Sequence, residues 1–368
     1  MNARFIVFLF ASFLHFNISY ADPVLDPMPD PSTTASTAAT TNAHEITANQ
    51  IIRKLSQAHT VVHASGPSCP IPGTTKPSVA DAKVCEAKYA KLYANPDIHV
   101  TFAFGYLDSR PDDRVDTGMD SEALVESMTT PCNRSELKSF CGFGRDVDDA
   151  TKFSKTVIGP DHKPHQFEIN IVSPVAIGSL VLDSEVRNTV AQKAQSAKAR
   201  AAFQKALQTD DIVVYDGHAR DGGGPDFSPP KLNPKTNHPD YPYYRANHPG
   251  LNDELTALAN SKHRPKIIGM MACDSKLHFE KQLRKISPDS ALLLTNMVTY
   301  TYVTSVAEQG MMDGLMSLRC DDGFVDSMEA DAQPIVENQP EKGLAPPIDF
   351  EGWGVKTPNV VPAPSRQP

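Results

Sequence analysis

The sequence is short of positive charge: 35 lysines and arginines against 44 aspartates and glutamates leave −9 over 368 residues. Binding a phosphate backbone needs the opposite balance, so a nucleic-acid partner is disfavoured. No stretch beyond the N-terminus reaches about 18 apolar residues, which argues against a stable membrane span. There is no CxxC pair, so zinc ribbons and thioredoxin-like sites lack their spacing. GxxxxGK and GxSxG are missing, and His44–Glu45 opens no HExxH because position 48 is Ala. ATP use, serine-elbow chemistry and zincin chemistry therefore lack their signatures. Tryptophan occurs once, at 353, and no internal repeat is present.

What is present begins with an export signal. Arg4 precedes an apolar run from Phe5 to Phe16, and Ser19 and Ala21 are small residues placed for cleavage before Asp22. Residues 1–21 thus read as a secretory signal peptide, with a lone anchor as the competing reading. The predicted location is secreted or periplasmic, with no stable membrane insertion after signal removal. Residues 22–43, rich in Pro, Thr, Ser and Ala, read as a disordered linker. Export permits disulfides. Among Cys69, Cys85, Cys132, Cys141, Cys273 and Cys320, closeness in sequence suggests Cys69 with Cys85 and Cys132 with Cys141. Fifteen pairings are open. Cys273 and Cys320 remain over, either bonded to each other or free.

Residues 44–96 read as a helical extension, with helices at 44–59 and 79–94. From 97 the pattern changes. Apolar, β-branched runs at 98–107, 167–175, 211–217, 265–272 and 291–297 read as strands. Between them, 118–129, 183–208, 253–261, 276–286 and 303–319 read as helices. In the longest, Val186, Val190, Ala194, Ala197 and Ala201 share one face. In 276–286, Leu277, Leu283 and Ile286 lie on or near one face. This alternation predicts an α/β fold, a three-layer sandwich whose mostly parallel sheet is covered on both faces. Residues 321–368, with eight prolines, read as a flexible tail that carries Trp353.

Two strand ends carry chemistry. DIVVYDGHARDGGGPDF (211–227) runs an apolar strand into His218, and PKIIGMMACDS (265–275) runs another into Cys273. Ligands bind at the carboxyl ends of strands in such sheets, and the 55 residues between the two leave room for a helical crossover. A thiol beside an imidazole is the minimal kit for thiolate catalysis: the ring takes the thiol proton and returns it to a leaving amine. A dyad of this kind needs no cofactor and no metal. Gly217 and Gly222 to Gly224 let the backbone bend sharply around His218.

This layout resembles the caspase-like superfamily of cysteine endopeptidases, which includes caspases, legumain, clostripain and gingipains. There, a hydrophobic strand ends in His, usually His-Gly, and a later one ends in Ala-Cys. Ala272–Cys273–Asp274–Ser275 is most similar to the legumain form. The resemblance covers about 97–320 and implies about six strands with helices on both faces. It implies His218 as general base, Cys273 as nucleophile, and the N–H groups of Ala219 and Cys273 as oxyanion donors. It also implies a peptide or protein substrate. Ala219 stands where the family usually has Gly.

Other readings compete. An exported binding or envelope protein could keep this fold with Cys273 structural, and an autoprocessed zymogen would suit flexible ends. Asp216, Asp221 and Asp226 could serve a basic side chain in a substrate pocket or bind a cation, although Asp in Gly-rich loops commonly makes Asx turns. Residues 231–250, with His238, Tyr241, Tyr243, Tyr244 and His248, could wall the cleft. A zinc set of His218, His238, His248 and an aspartate is conceivable but matches no recurring spacing.

Overall fold

The computed structural model describes residues 79–107, 115–296, 301–320, 324 and 348–354. The signal peptide, the linker, the helix expected at 44–59, Cys69 and most of the expected tail lie outside the described residues. In chain order the elements are α1 (Val79–Leu92), β1 (Asp97–Phe104), α2 (Thr117–Thr129), β2 (Gly144–Arg145), β3 (Lys152–Ile158) and β4 (Pro164–Val172). There follow α3 (Asp183–Val186), α4 (Val190–Thr209), β5 (Ile212–Asp216), a 3₁₀ turn (Arg220–Gly222), α5 (Tyr241–Asn247) and α6 (Pro249–Asn260). The chain closes with β6 (Ile267–Met271), α7 (Ser275–Ile286), β7 (Ala291–Thr295), α8 (Thr301–Met316) and β8 (Ile348–Glu351).

These strands form one mixed eight-stranded sheet, β2-β3-β4-β1-β5-β6-β7-β8. β4, β1, β5, β6 and β7 are mutually parallel; β3 and β8 run antiparallel to them, and the outermost β2 pairs antiparallel with β3. The α/β expectation is met, but the sheet has eight strands and not about six. The three strands beyond the five read from the sequence, β2, β3 and β8, lie at the edges and have weak sequence signals. β2 is two residues long, β3 buries only Phe153, and β8 follows a proline-rich stretch. Strands β5, β6 and β7 are buried at every position, as expected for strands covered on both faces.

Two apolar clusters flank the sheet. Tyr89 and Leu92 of α1, Leu124 and Val125 of α2, and Met311 and Leu315 of α8 cover one face. Phe203 and Leu207 of α4, Leu251 and Leu258 of α6, and Phe279 and Leu283 of α7 cover the other. The long helix expected at 183–208 is broken. Thr189 caps α4, its hydroxyl accepting from the Gln192 N–H at 3.1 Å, which resets the helical phase. The buried face is therefore Gln192, Ser196, Ala199, Phe203, Ala206 and Leu207, while Val190 is exposed. An alanine-rich helix offers little contrast between faces, and Phe203 decides this one. Leu277 is likewise exposed, whereas Leu283 is buried and Ile286 partly buried as expected, and Phe279 takes the place of Leu277 on the packed face of α7.

Both ends of the expected domain move outward. Cys85 of α1 is bonded to Cys320, which corrects the suggested Cys69–Cys85 pair; Cys132–Cys141 forms as suggested. A bond closing 235 residues could not be read from closeness in sequence. Trp353 does not report a tail. It is fully buried, edge-on to Tyr89 with ring centres 5.3 Å apart and stacked on Phe350 at 5.9 Å. Lys276 of α7 pairs with Asp349 and Glu351, and Arg284 with Glu351 at 2.9 Å, tying β8 to the helix that follows Cys273. Trp353→Ala should cost about 3–5 kcal/mol, measured by urea unfolding. The intrinsic emission of the intact protein should be that of an indole shielded from water.

Candidate functional site

Register places the two motif residues. In the parallel β5–β6 ladder Asp216 is the partner of Met271, and the Gly217 N–H extends the ladder to the Met271 carbonyl at 3.1 Å. His218 and Cys273 each follow two residues beyond that pair. They emerge on neighbouring strands at the same step past the sheet rim and line one cleft of about 190 Å³ with Ala219, Arg220, Asp221, Tyr241, Asp274 and His278.

The Cys273 turn is clamped from behind. Thr295, at the end of β7, donates its hydroxyl to the Ala272 carbonyl, accepts from the Ser275 N–H at 3.1 Å, and gives its own N–H to Ser275 Oγ at 2.8 Å. Asp274 takes a left-handed conformation (φ 50°) as the chain turns into α7. Cys273 is half-buried and enters neither disulfide. The Cys273–Cys320 bond of the competing reading is therefore not formed, since Cys320 is held by Cys85.

The His218 loop is held by a buried polar network. Tyr215 Oη donates to the His218 carbonyl at 3.2 Å and accepts from the Asp226 N–H at 3.0 Å. A side chain at 217 would meet Tyr215 Oη at 2.4 Å and one at 224 would meet the His218 carbonyl at 2.5 Å, so both positions require glycine. Arg220, Asp221 and Gly222 are all left-handed (φ 48°, 54° and 83°), a cost of roughly 1–2 kcal/mol for each non-glycine residue. Contacts of the buried Arg220 guanidinium help offset it: it donates to the Tyr106 carbonyl at 3.0 Å and lies 3.6 Å from Asp226. Ala219 is right-handed (φ −68°, ψ −20°), a conformation open to any residue, so Ala in place of Gly imposes no strain there. Its N–H meets no acceptor among the described residues.

Burial, and then the nearby Arg220 charge, push the His218 imidazole down to about 3. The ring is therefore neutral at ordinary pH and able to accept a proton, and once protonated it is a strong acid.

Of the two loop aspartates expected in a substrate pocket, Asp221 lines the cleft and pairs with Arg245 at 2.9 Å. Asp226 is structural: it accepts from Tyr244 Oη at 2.9 Å and from the Ser228 N–H at 3.1 Å. From residues 231–250, Tyr241 reaches the cleft, Tyr244 serves Asp226, and His248 Nδ1 sits 2.8 Å from the Gly222 carbonyl. His238 lies exposed in the preceding loop. His278 joins the cleft without belonging to any motif; its one sequence signal is position, in the first turn of the helix that follows Cys273. Comparison with protein-family models, curated proteins and solved structures finds no match.

Two outcomes follow. The folded value of His218 lies below the unfolded 6.5, so its contribution to stability is complete above about pH 6.5 and lost as pH falls toward about 3. Its ring carbon NMR shifts should stay those of neutral imidazole at pH 5. Tyr215→Phe strands the Asp226 N–H and the His218 carbonyl, and should cost about 1–3 kcal/mol in chemical denaturation.

Proposed function

We propose that the protein is an exported cysteine hydrolase, an endopeptidase of the caspase-like type, using His218 and Cys273. The single observation carrying this reading is the shared register of the two residues, one strand apart at the carboxyl rim of a parallel sheet. The thiol transfers its proton to His218 as Sγ attacks the peptide carbonyl carbon. The oxyanion is met by the N–H groups of Ala219 and Cys273. The tetrahedral adduct collapses, the C–N bond breaks, and the imidazolium protonates the leaving amine. Water, deprotonated by His218, then hydrolyses the thioester and releases the acid and the thiol.

The low proton affinity of His218 keeps its imidazole neutral at rest, which disfavours a standing imidazolium. It makes His218 a weak base for the first step and an effective acid for the second. Neither Ala219 nor Cys320 argues for a non-catalytic protein: Ala219 adopts an ordinary conformation, and Cys320 is bonded to Cys85 and leaves Cys273 free of it. Two disulfides are consistent with an oxidising compartment, and no described helix is long and apolar enough to cross a membrane. These support export to a secreted or periplasmic location.

A peptide-like acyloxymethyl ketone should label the mature protein at Cys273, located by peptide mass mapping. Cys273→Ala should abolish labelling, and His218→Ala should lower peptide hydrolysis by about 10³-fold or more. Labelling confined to other residues, with Cys273 intact and the protein folded, would overturn the proposal and favour a binding protein.

A further inference from the structure

The outer face of α4 is cationic on a chain whose net charge is −9. The break at Thr189 leaves Asp183 and Glu185 in α3, so the 20 residues of α4 hold lysines and an arginine but no acid. A solvated helix commonly carries both signs, with acids in its first turn to meet the macrodipole; α4 has neither. Lys193, Lys198 and Lys205 are exposed, and alanines at 194, 197 and 201 are exposed between them. The strip continues past the helix. Ser261 Oγ donates to the Gln208 carbonyl at 3.2 Å, which sets the loop after α6, with its exposed Lys262 and Arg264, against the end of α4.

Among the described residues none of these five cations forms an ion pair. The neighbouring acids are already engaged. Asp253 lies 3.9 Å from Arg200, Asp211 pairs with Lys266 at 2.5 Å, and half-buried Asp210 accepts from Thr101 Oγ1 at 2.7 Å. The five cations do not converge on a point: Lys193 and Lys205 alone are about 18 Å apart along the helix axis. No single small anion meets them all, whereas an extended anionic plane does, and the alanines let the helix approach it closely. On the proposed export, the plane the chain meets is a layer of lipid headgroups. The exposed positions between the lysines are small or polar, so the contact is electrostatic adsorption and not insertion. It leaves the cleft open, because Lys205, Lys262 and Arg264 stand just before β5 and β6, at the amino rim, while His218 and Cys273 follow those strands at the carboxyl rim.

We propose that the outer face of α4 and the loop after α6 form a docking surface for an anionic phospholipid layer, with Lys193, Lys198, Lys205, Lys262 and Arg264 as its contacts. The proposal does not depend on Cys273 being a nucleophile. The full mature protein is floated with vesicles of equal parts phosphatidylglycerol and phosphatidylcholine, and with vesicles of phosphatidylcholine alone. It should bind the first and not the second, and be released at about 1 M salt, where the screening length falls to about 3 Å. Each basic side chain at such a surface is worth about fivefold in partitioning. Lys198→Gln combined with Lys205→Gln should therefore lower binding about 25-fold, as should Lys262→Gln combined with Arg264→Gln, with melting temperatures unchanged because all four side chains are exposed. Lys152→Gln combined with Lys163→Gln, two exposed lysines of the β3–β4 hairpin, should bind as the parent protein does. Equal binding to both vesicle types, or an equal loss from the hairpin pair and the α4 pair, would overturn the proposal. So would failure to bind the phosphatidylglycerol vesicles at low salt; retention on a sulfated polysaccharide in that case would assign the face to a soluble polyanion instead.

Discussion

The parallel ladder between Ile212–Asp216 and Ile267–Met271 fixes what the rim of this protein can do. Adjacent strands lie about 4.8 Å apart, and pairing Asp216 with Met271 gives His218 and Cys273 the same step beyond it. A slip of one residue would turn every side chain of a strand to the opposite face, exchanging Val213 and Tyr215 for Ile212 and Val214 against α4 and α6. Both faces are filled with large apolar groups, so such a slip is strongly opposed. The core thus holds the register, and the register holds the dyad.

The two faces also divide the charge. On the Tyr215 face, Arg220 and burial keep His218 neutral, and Asp226 is consumed by Tyr244 and Arg220. On the other face, Asp216 accepts from the Thr304 hydroxyl, and burial, followed by the Asp216 and Asp120 charges, raises the Glu308 carboxyl well above its ordinary range. One strand end therefore presents a ring that resists protonation and, two residues earlier, a carboxyl without a cationic partner among the described residues.

Support for the Cys273 side comes from distant sequence. Thr295 fastens the turn around Ala272 and Ser275, while β8 is tied to α7 by Lys276 and Arg284. Burial alone would raise the Glu351 carboxyl, yet hydrogen bonds from Lys276 and Arg284 hold it down at about 2. Trp353 and the Cys85–Cys320 bond secure the same edge of the molecule.

Taken by itself, the chain determined its five central strands, since continuous runs such as IVVY and IIGMM have no stable place except between two covered faces. It also determined that His218 and Cys273 leave those strands at their carboxyl ends, and that Cys132 can close a short loop with Cys141. Only the tertiary structure decided the rest. The edge strands were hidden because an edge needs few buried residues: β3 buries one phenylalanine and β8 spans four positions. The face of α4 was hidden because alanines mark no side. The roles of Asp226, Thr295 and Trp353 depend on partners separated from them by loops and whole elements. Local periodicity records which way a side chain points, but not what waits for it there, because that partner is delivered by the packing of the entire sheet.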